Sequence, residues 1–126
     1  MRTYECTILV NAARATAELE ASMAHVRGLY EQEGAEWLEL ERWEERRLAY
    51  KIADQTSAVY LVGFFKAPSE AIDRIERRCR LDDLVLRQLI ITRDGNDFTA
   101  IREQRARAIA RAREDREEAS AASAGA

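Results

Sequence analysis

Apolar residues recur along the first part of the chain with two different periods. From Thr3 to Val10 they alternate with polar residues, which predicts a strand with one buried face. The inward set of this strand is Tyr4, Cys6, Ile8 and Val10, and the outward set is Thr3, Glu5, Thr7 and Leu9. The next apolar positions lie on one side of a helix, at Leu19, Met23, Val26 and Tyr30. Thr16 is the expected N-cap of this helix and Gly34 its C-terminal end.

A long extended segment, residues 35–52, follows the first helix. Its alternation is disturbed near Glu44 and Glu45, which predicts a β-bulge. Polar residues at 53–57 predict a turn before the next strand.

The segment from Ala58 to Lys66 is apolar on both faces, which predicts a central strand. A second helix is expected after Pro68, with Ser69 as its N-cap. A last strand is predicted at residues 84–92, followed by turn residues at 94–97.

The order strand, helix, strand, strand, helix, strand predicts an α+β fold of the ferredoxin-like type. This βαββαβ fold has a four-stranded antiparallel sheet with two helices on one face, and its first and third strands are central. We expect this domain to span residues 1–98. Residues 99–126 form an Arg/Ala/Glu-rich extension that we expect to be partly helical or disordered, with arginines that could add phosphate affinity.

Composition narrows the possible functions of the 126-residue chain. The formal net charge of −3 gives no overall attraction to nucleic acid, so RNA contacts would need a local patch. Cys6 and Cys79 lie in apolar patterns and are expected to be reduced core thiols. His25 is the single histidine, and no P-loop, HExxH, GxSxG or GxGxxG motif occurs. We therefore predict a soluble cytosolic protein that is not an enzyme and has no metal, cofactor or membrane segment.

Adjacent arginines beside aromatic residues in the second strand, from Trp43 to Tyr50, are the strongest functional signal in the chain. Guanidinium groups pair with phosphates, and aromatic rings offer flat surfaces to bases, so this pattern favours RNA binding. Basic and aromatic residues on other strands could join the same edge. The candidate RNA-binding residues are Arg2, Tyr4, Arg46, Arg47, Tyr50, Lys51 and Arg87.

Over roughly residues 1–93 the chain resembles the bacterial small-subunit ribosomal protein six family. The matching residues are Arg2-Thr3-Tyr4-Glu5, Trp43 with Arg46-Arg47-Leu48-Ala49-Tyr50, Tyr60, Phe65-Lys66-Ala67-Pro68, Ala71-Ile72, and Leu81-Asp82 leading to Val85-Leu86-Arg87. Two positions depart from the family pattern, since Glu44 and Ala58 stand where the family usually has glycine.

The resemblance implies a structural protein of the small ribosomal subunit, in the cytoplasm. It would bind the central domain of the small-subunit ribosomal RNA together with ribosomal protein eighteen, whose basic charge could share in neutralising phosphates. The outward residues of the third strand, Tyr60, Val62 and Phe64, are candidates for contact with that partner. The other interpretation of these three residues is a sheet face that the C-terminal extension covers.

Two other functions are weighed against the ribosomal one, and the sequence favours the ribosomal one over both. A small-molecule-binding or regulatory ferredoxin-like module that dimerises through its sheet would need an enclosed pocket with ligand-specifying polar residues. A generic RNA-recognition domain would need a basic-glycine signature in its third strand, whereas this strand reads AVYLVGFFK.

Overall fold

The computed structural model describes residues 1–93 and 98–124, with the side chains of residues 1–93 and 100–119. The predicted turn at residues 94–97 lies outside this part of the chain. The described elements are β1 (Arg2–Asn11), α1 (Ala12–Ala17), α2 (Leu19–Glu31), β2 (Glu36–Ile52), β3 (Gln55–Ala67), α3 (Ala71–Arg80), β4 (Val85–Thr92) and α4 (Phe98–Ala124).

The four strands form one antiparallel sheet in the order β2-β3-β1-β4. The predicted ferredoxin-like fold is therefore confirmed, including the central position of the first and third strands. β2 changes register between Arg42 and Glu44, so the predicted bulge is confirmed next to Trp43.

The main core lies between the sheet and helices α1 to α3. The inward residues of β1 and β3 belong to it, and an aromatic cluster closes one end. In this cluster the Phe65 ring contacts three other rings, at centroid distances of 5.4 Å to Tyr4, 5.1 Å to Tyr30 and 5.4 Å to Trp37. Large rings packed in this way contribute strongly to the stability of a core.

The helix starts differ from those expected. Helical structure begins at Ala12, not after Thr16, because the Asn11 side chain accepts a hydrogen bond from the Arg14 amide at 3.1 Å and acts as the N-cap. The Thr16 hydroxyl instead donates to Glu45 of β2. Ser69 is not an N-cap either, since it donates to the Glu70 carboxylate while Glu70 occupies the cap position without a side-chain cap.

Both cysteines are free and buried, as expected for core thiols. Desolvation raises the pKa of Cys6 far above its ordinary value and that of Cys79 to about 12, so both thiols stay protonated. His25 lies within 2.6 Å of Asp82, whose other oxygen accepts hydrogen bonds from the Leu84 and Val85 amides. Asp82 therefore caps the backbone of the loop before β4.

The C-terminal extension is a helix from Phe98 to Ala124 and thus more regular than the sequence suggests. It lies on the sheet face opposite α1 to α3, where its Ile109 is 5% exposed. No helix in the described part of the chain is long and apolar enough to cross a membrane.

Candidate nucleic-acid interface

The β2–β3 hairpin extends beyond the end of the sheet. Pairing between β3 and β1 stops at Ala58, whereas β2 and β3 continue to a turn formed by Ala53 and Asp54. Both turn residues have positive φ, 48° and 63°, a conformation that suits the twist of a two-residue hairpin. The turn is shorter than the predicted segment 53–57, because β3 begins at Gln55, three residues earlier than expected, while β2 ends at Ile52 as predicted. The hairpin therefore presents two strands to solvent at one end of the molecule.

Three of the predicted RNA-binding residues line a single cleft at the base of this hairpin. Tyr50 and Lys51 come from β2, and Arg87 comes from β4, where it pairs in register with Leu9 of β1. The cleft has a volume of about 220 Å³ and also includes Tyr60. The Tyr50 side chain is 84% exposed, so its ring is available to stack on a base. The cleft thus combines cations with a free aromatic surface.

Arg46 and Arg47 lie on β2 close to this cleft, and both are exposed. Arg46 lies against the protein surface, with its guanidinium 5.2 Å from the Trp43 ring centroid and 5.3 Å from that of Tyr60. It also forms an ion pair with the carboxylate of Glu44. Glu44 therefore neutralises one of the cations of the predicted patch.

Arg2 and Tyr4 lie at the other end of the sheet. Arg2 pairs with Ala67, seven residues along β1 from the position opposite Arg87, which corresponds to about 23 Å at the rise of a strand. Tyr4 is 4% exposed and stacks on Phe65, so its ring belongs to the core and is not accessible to RNA. The alternation of residues along β1 had placed Tyr4 on the inward side with Cys6 and Ile8, and the structure confirms that position. The assignment of Tyr4 to RNA contact is therefore corrected.

The predicted partner-binding residues share the sheet face that α4 covers. Val62 and Phe64 are buried at 3% and 2% exposure, and they line a small cavity with Ala106 and Ile109 of α4. Tyr60 is half-buried beside Arg46. The C-terminal extension therefore covers this face in the free chain. This agrees with the interpretation of Tyr60, Val62 and Phe64 as residues of a sheet face that the extension covers.

Carboxylates surround the covered apolar residues. Glu5 is only 1% exposed and accepts hydrogen bonds from Arg105 of α4 at 2.6 Å and from Arg93 at 3.3 Å. Arg102 of α4 donates to Glu39 at 3.1 Å, and Arg105 also lies over the Trp43 ring at 5.1 Å. The sheet side of this contact is acidic and apolar, which suits basic protein side chains and disfavours phosphate. Sequence parity placed Glu5 on this face but gave no sign of its partners, which lie 88 and 100 residues away.

The contact surface of α4 is narrow. Its less exposed residues follow a helical stripe, Ile101, Arg105, Ala108, Ile109 and Ala112. Burial of Ile109 stabilises the docked helix by about 2 kcal/mol, and the exposed pair of Arg102 with Glu39 adds less than about 1 kcal/mol. Residues 113–119 are all exposed. The helix is therefore held by about three turns near its start.

Comparisons with known proteins agree with this fold. The crystal structure of the 30S ribosomal protein S6 from Thermotoga maritima superposes with a TM-score of 0.63 at 21% identity, covering 83% of this chain and 95% of that one. At this identity the likeness concerns the fold.

Sequence comparisons identify the family. The family model described as Ribosomal protein S6 matches residues 3–92. The small ribosomal subunit protein bS6 of Carboxydothermus hydrogenoformans is 32% identical over 94 residues, which cover 75% of this chain and 98% of the relative. That of Desulforamulus reducens is also 32% identical, over 95 residues covering 75% of this chain and 99% of the relative. Because the matched region contains helices α1 to α3 and the whole sheet except Arg2, this chain belongs to the ribosomal protein S6 family of the small ribosomal subunit.

Proposed function

We propose that the chain binds the central domain of the small-subunit ribosomal RNA together with ribosomal protein eighteen, as a structural component of the cytoplasmic ribosome without catalytic activity. The observation that carries the RNA part is the projecting hairpin, whose Tyr50 and Lys51 share a cleft with Arg87. Flexible cations around an exposed ring can follow a phosphate backbone while the ring packs on a sugar or base. Arg46 and Arg47 extend this surface along β2, and Arg2 would contact a separate stretch of backbone.

Two regions of the outer sheet face divide the two binding roles. The cleft at the hairpin end, with Lys51 and Arg87, is basic and suits phosphates, while the region around Val62 and Phe64 carries carboxylates and suits a basic protein. This division reconciles RNA binding with a net charge of −3, because local charge and not total charge determines contact with RNA. A protein partner with arginines and lysines would further neutralise phosphates beside the acidic face.

The proposal is tested by titrating a central-domain ribosomal RNA fragment with the chain, in the presence and absence of ribosomal protein eighteen, over a salt series. We expect tight binding only with the partner present, and a steep loss of affinity with rising salt. No binding of the fragment under either condition would overturn the proposed function.

Replacing Glu44 with glutamine is expected to increase RNA affinity about threefold, because the change frees the charge of Arg46 for a phosphate. The measurement is the dissociation constant of the RNA complex at one fixed salt concentration. Glu45→Gln is the matched control, since it removes the same charge from the neighbouring residue, whose carboxylate contacts Thr16 of α1. Equal affinity gains in the two variants would point to net charge as the cause and contradict a specific role for Glu44.

A further inference from the structure

The outer face of the sheet has the form of a receptor for a helix. Its floor is apolar, made by Val62 and Phe64, and the buried carboxylate of Glu5 lies beside this floor. α4 shows which side chains fit there. Arg105 reaches Glu5, and Ile109, one helical turn later, fills the apolar position.

α4 leaves part of the same face uncovered. Leu89 and Ile91 of β4 are 57% and 37% exposed, and they pair in register with Thr7 and Glu5 on the outward side of β1. A groove of about 310 Å³ separates α4 from this end of the sheet, lined by Glu5, Arg93, Ile101 and Arg105. Exposed apolar side chains that continue from a buried apolar floor mark a surface larger than its present occupant.

The contact between α4 and the sheet also buries few residues. Among the residues whose side chains are described, Ile109 is the one buried residue of α4, and every residue from 113 to 119 is exposed. Arg102, which pairs with Glu39, keeps a side chain that is 45% exposed. A helix with the same arginine and isoleucine pattern, and with more apolar residues facing Leu89 and Ile91, would bury more surface than α4 does.

We propose that the outer sheet face is the docking site for an arginine-bearing amphipathic helix of a protein partner, and that α4 occupies this site in the free chain and is displaced when the partner binds. The inference rests on the proposed function, since it assigns the surface and the binding element to the basic partner invoked there. The carboxylates of Glu5, Glu39 and Glu41 favour a basic protein over RNA as the occupant. Because the free chain must first release α4, its apparent affinity for the partner is lowered by the fraction of molecules in which the face is open.

The test uses the full chain and ribosomal protein eighteen as the probe, with calorimetry as the measurement. Ile109→Ser weakens the docking of α4 without changing the sheet, and it is expected to tighten partner binding about tenfold. Ala110→Ser changes the adjacent exposed residue and is expected to leave the affinity unchanged. At a saturating concentration of the partner, RNA binding at the hairpin should be the same in both variants, which separates the two surfaces.

A covalent cross-link that prevents the release of α4 tests the same proposal from the other direction. Cysteines introduced by Ala106→Cys and Glu41→Cys line the same cavity, and a short bismaleimide linker between them would hold α4 on the sheet. We expect the linked chain to lose partner binding, while the same double variant with its thiols individually capped still binds. Partner binding by the linked chain with unchanged affinity would overturn the displacement model and leave the proposed function standing. Absence of partner binding in every form would reject the proposed function itself.

Discussion

Simultaneous replacement of Arg47, Lys51 and Arg87 with alanine is expected to lower affinity for the central-domain RNA fragment about 100-fold. Each exposed ionic contact with phosphate contributes about 1 kcal/mol, and three such contacts together correspond to roughly two powers of ten in the dissociation constant. The loss of three phosphate contacts should also reduce the slope of log affinity against log salt by about two to three. Titrations with the partner present, at several salt concentrations, measure both quantities.

A control with the same change in net charge isolates the effect of position. Arg14, Arg77 and Arg80 are exposed arginines of the helices on the opposite side of the sheet from α4, and their replacement with alanine should change affinity less than about threefold. If this control variant lost as much affinity as the hairpin variant, RNA binding would depend on overall charge and the hairpin would have no special role.

Much of the fold could be predicted from sequence because its determinants are local. The alternation of residues along β1 and the two-sided apolarity of β3 depend on a period of two, which is visible in a few residues. The same parity correctly separated Tyr4, which packs in the core, from Glu5, which faces α4 on the other side of the sheet. The assignment of Tyr4 to RNA contact was wrong because it relied on the place of Tyr4 in a motif. The alternation along β1, which puts Tyr4 on the buried side, is the better guide. Charge and aromatic character alone do not tell which side of a strand a residue faces.

The docking of α4 could not be predicted because it depends on contacts between distant residues. In the sequence α4 is polar and alanine-rich, with few large apolar residues, which is typical of a solvated helix. Its position depends on Ile109 and on the pair of Arg105 with Glu5, residues separated by 100 positions. The asymmetry between the basic hairpin and the acidic sheet face likewise arises only when the strands are assembled.

The structure also bears on the alternative of a small-molecule module that dimerises through its sheet. The face available for such a dimer holds α4 over Val62 and Phe64, so two free chains could not pair there without first releasing their helices. Membership of the ribosomal protein S6 family agrees with the ribosomal assignment. In the proposed model, α4 keeps Val62 and Phe64 covered until the protein partner binds.

Gly63 lies in the middle of β3, the strand that supports both the hairpin and the covered face. It pairs with Cys6 of β1 on one side and with Leu40 of β2 on the other. A methyl group at this position would lie 2.6 Å from the Glu39 carbonyl oxygen and 2.9 Å from the Trp37 ring. Because the nearest atom belongs to the backbone of the adjacent strand, the clash can be relieved only by moving β2.

Gly63→Ala is therefore expected to destabilise the domain by about 3 kcal/mol, at the upper end of the usual cost of overpacking. Urea denaturation monitored by tryptophan fluorescence measures this change as a lower midpoint with an unchanged slope. Gly28→Ala is the matched control, since a Cβ at Gly28 meets no atom within 4 Å and alanine favours the interior of α2, so a gain of about 0.5 to 1 kcal/mol is expected. A Gly63→Ala domain as stable as the parent would show that β2 can shift without cost. The bulges at Leu38 and Trp43 would then be sites of adjustment and not fixed features of the strand that carries the hairpin.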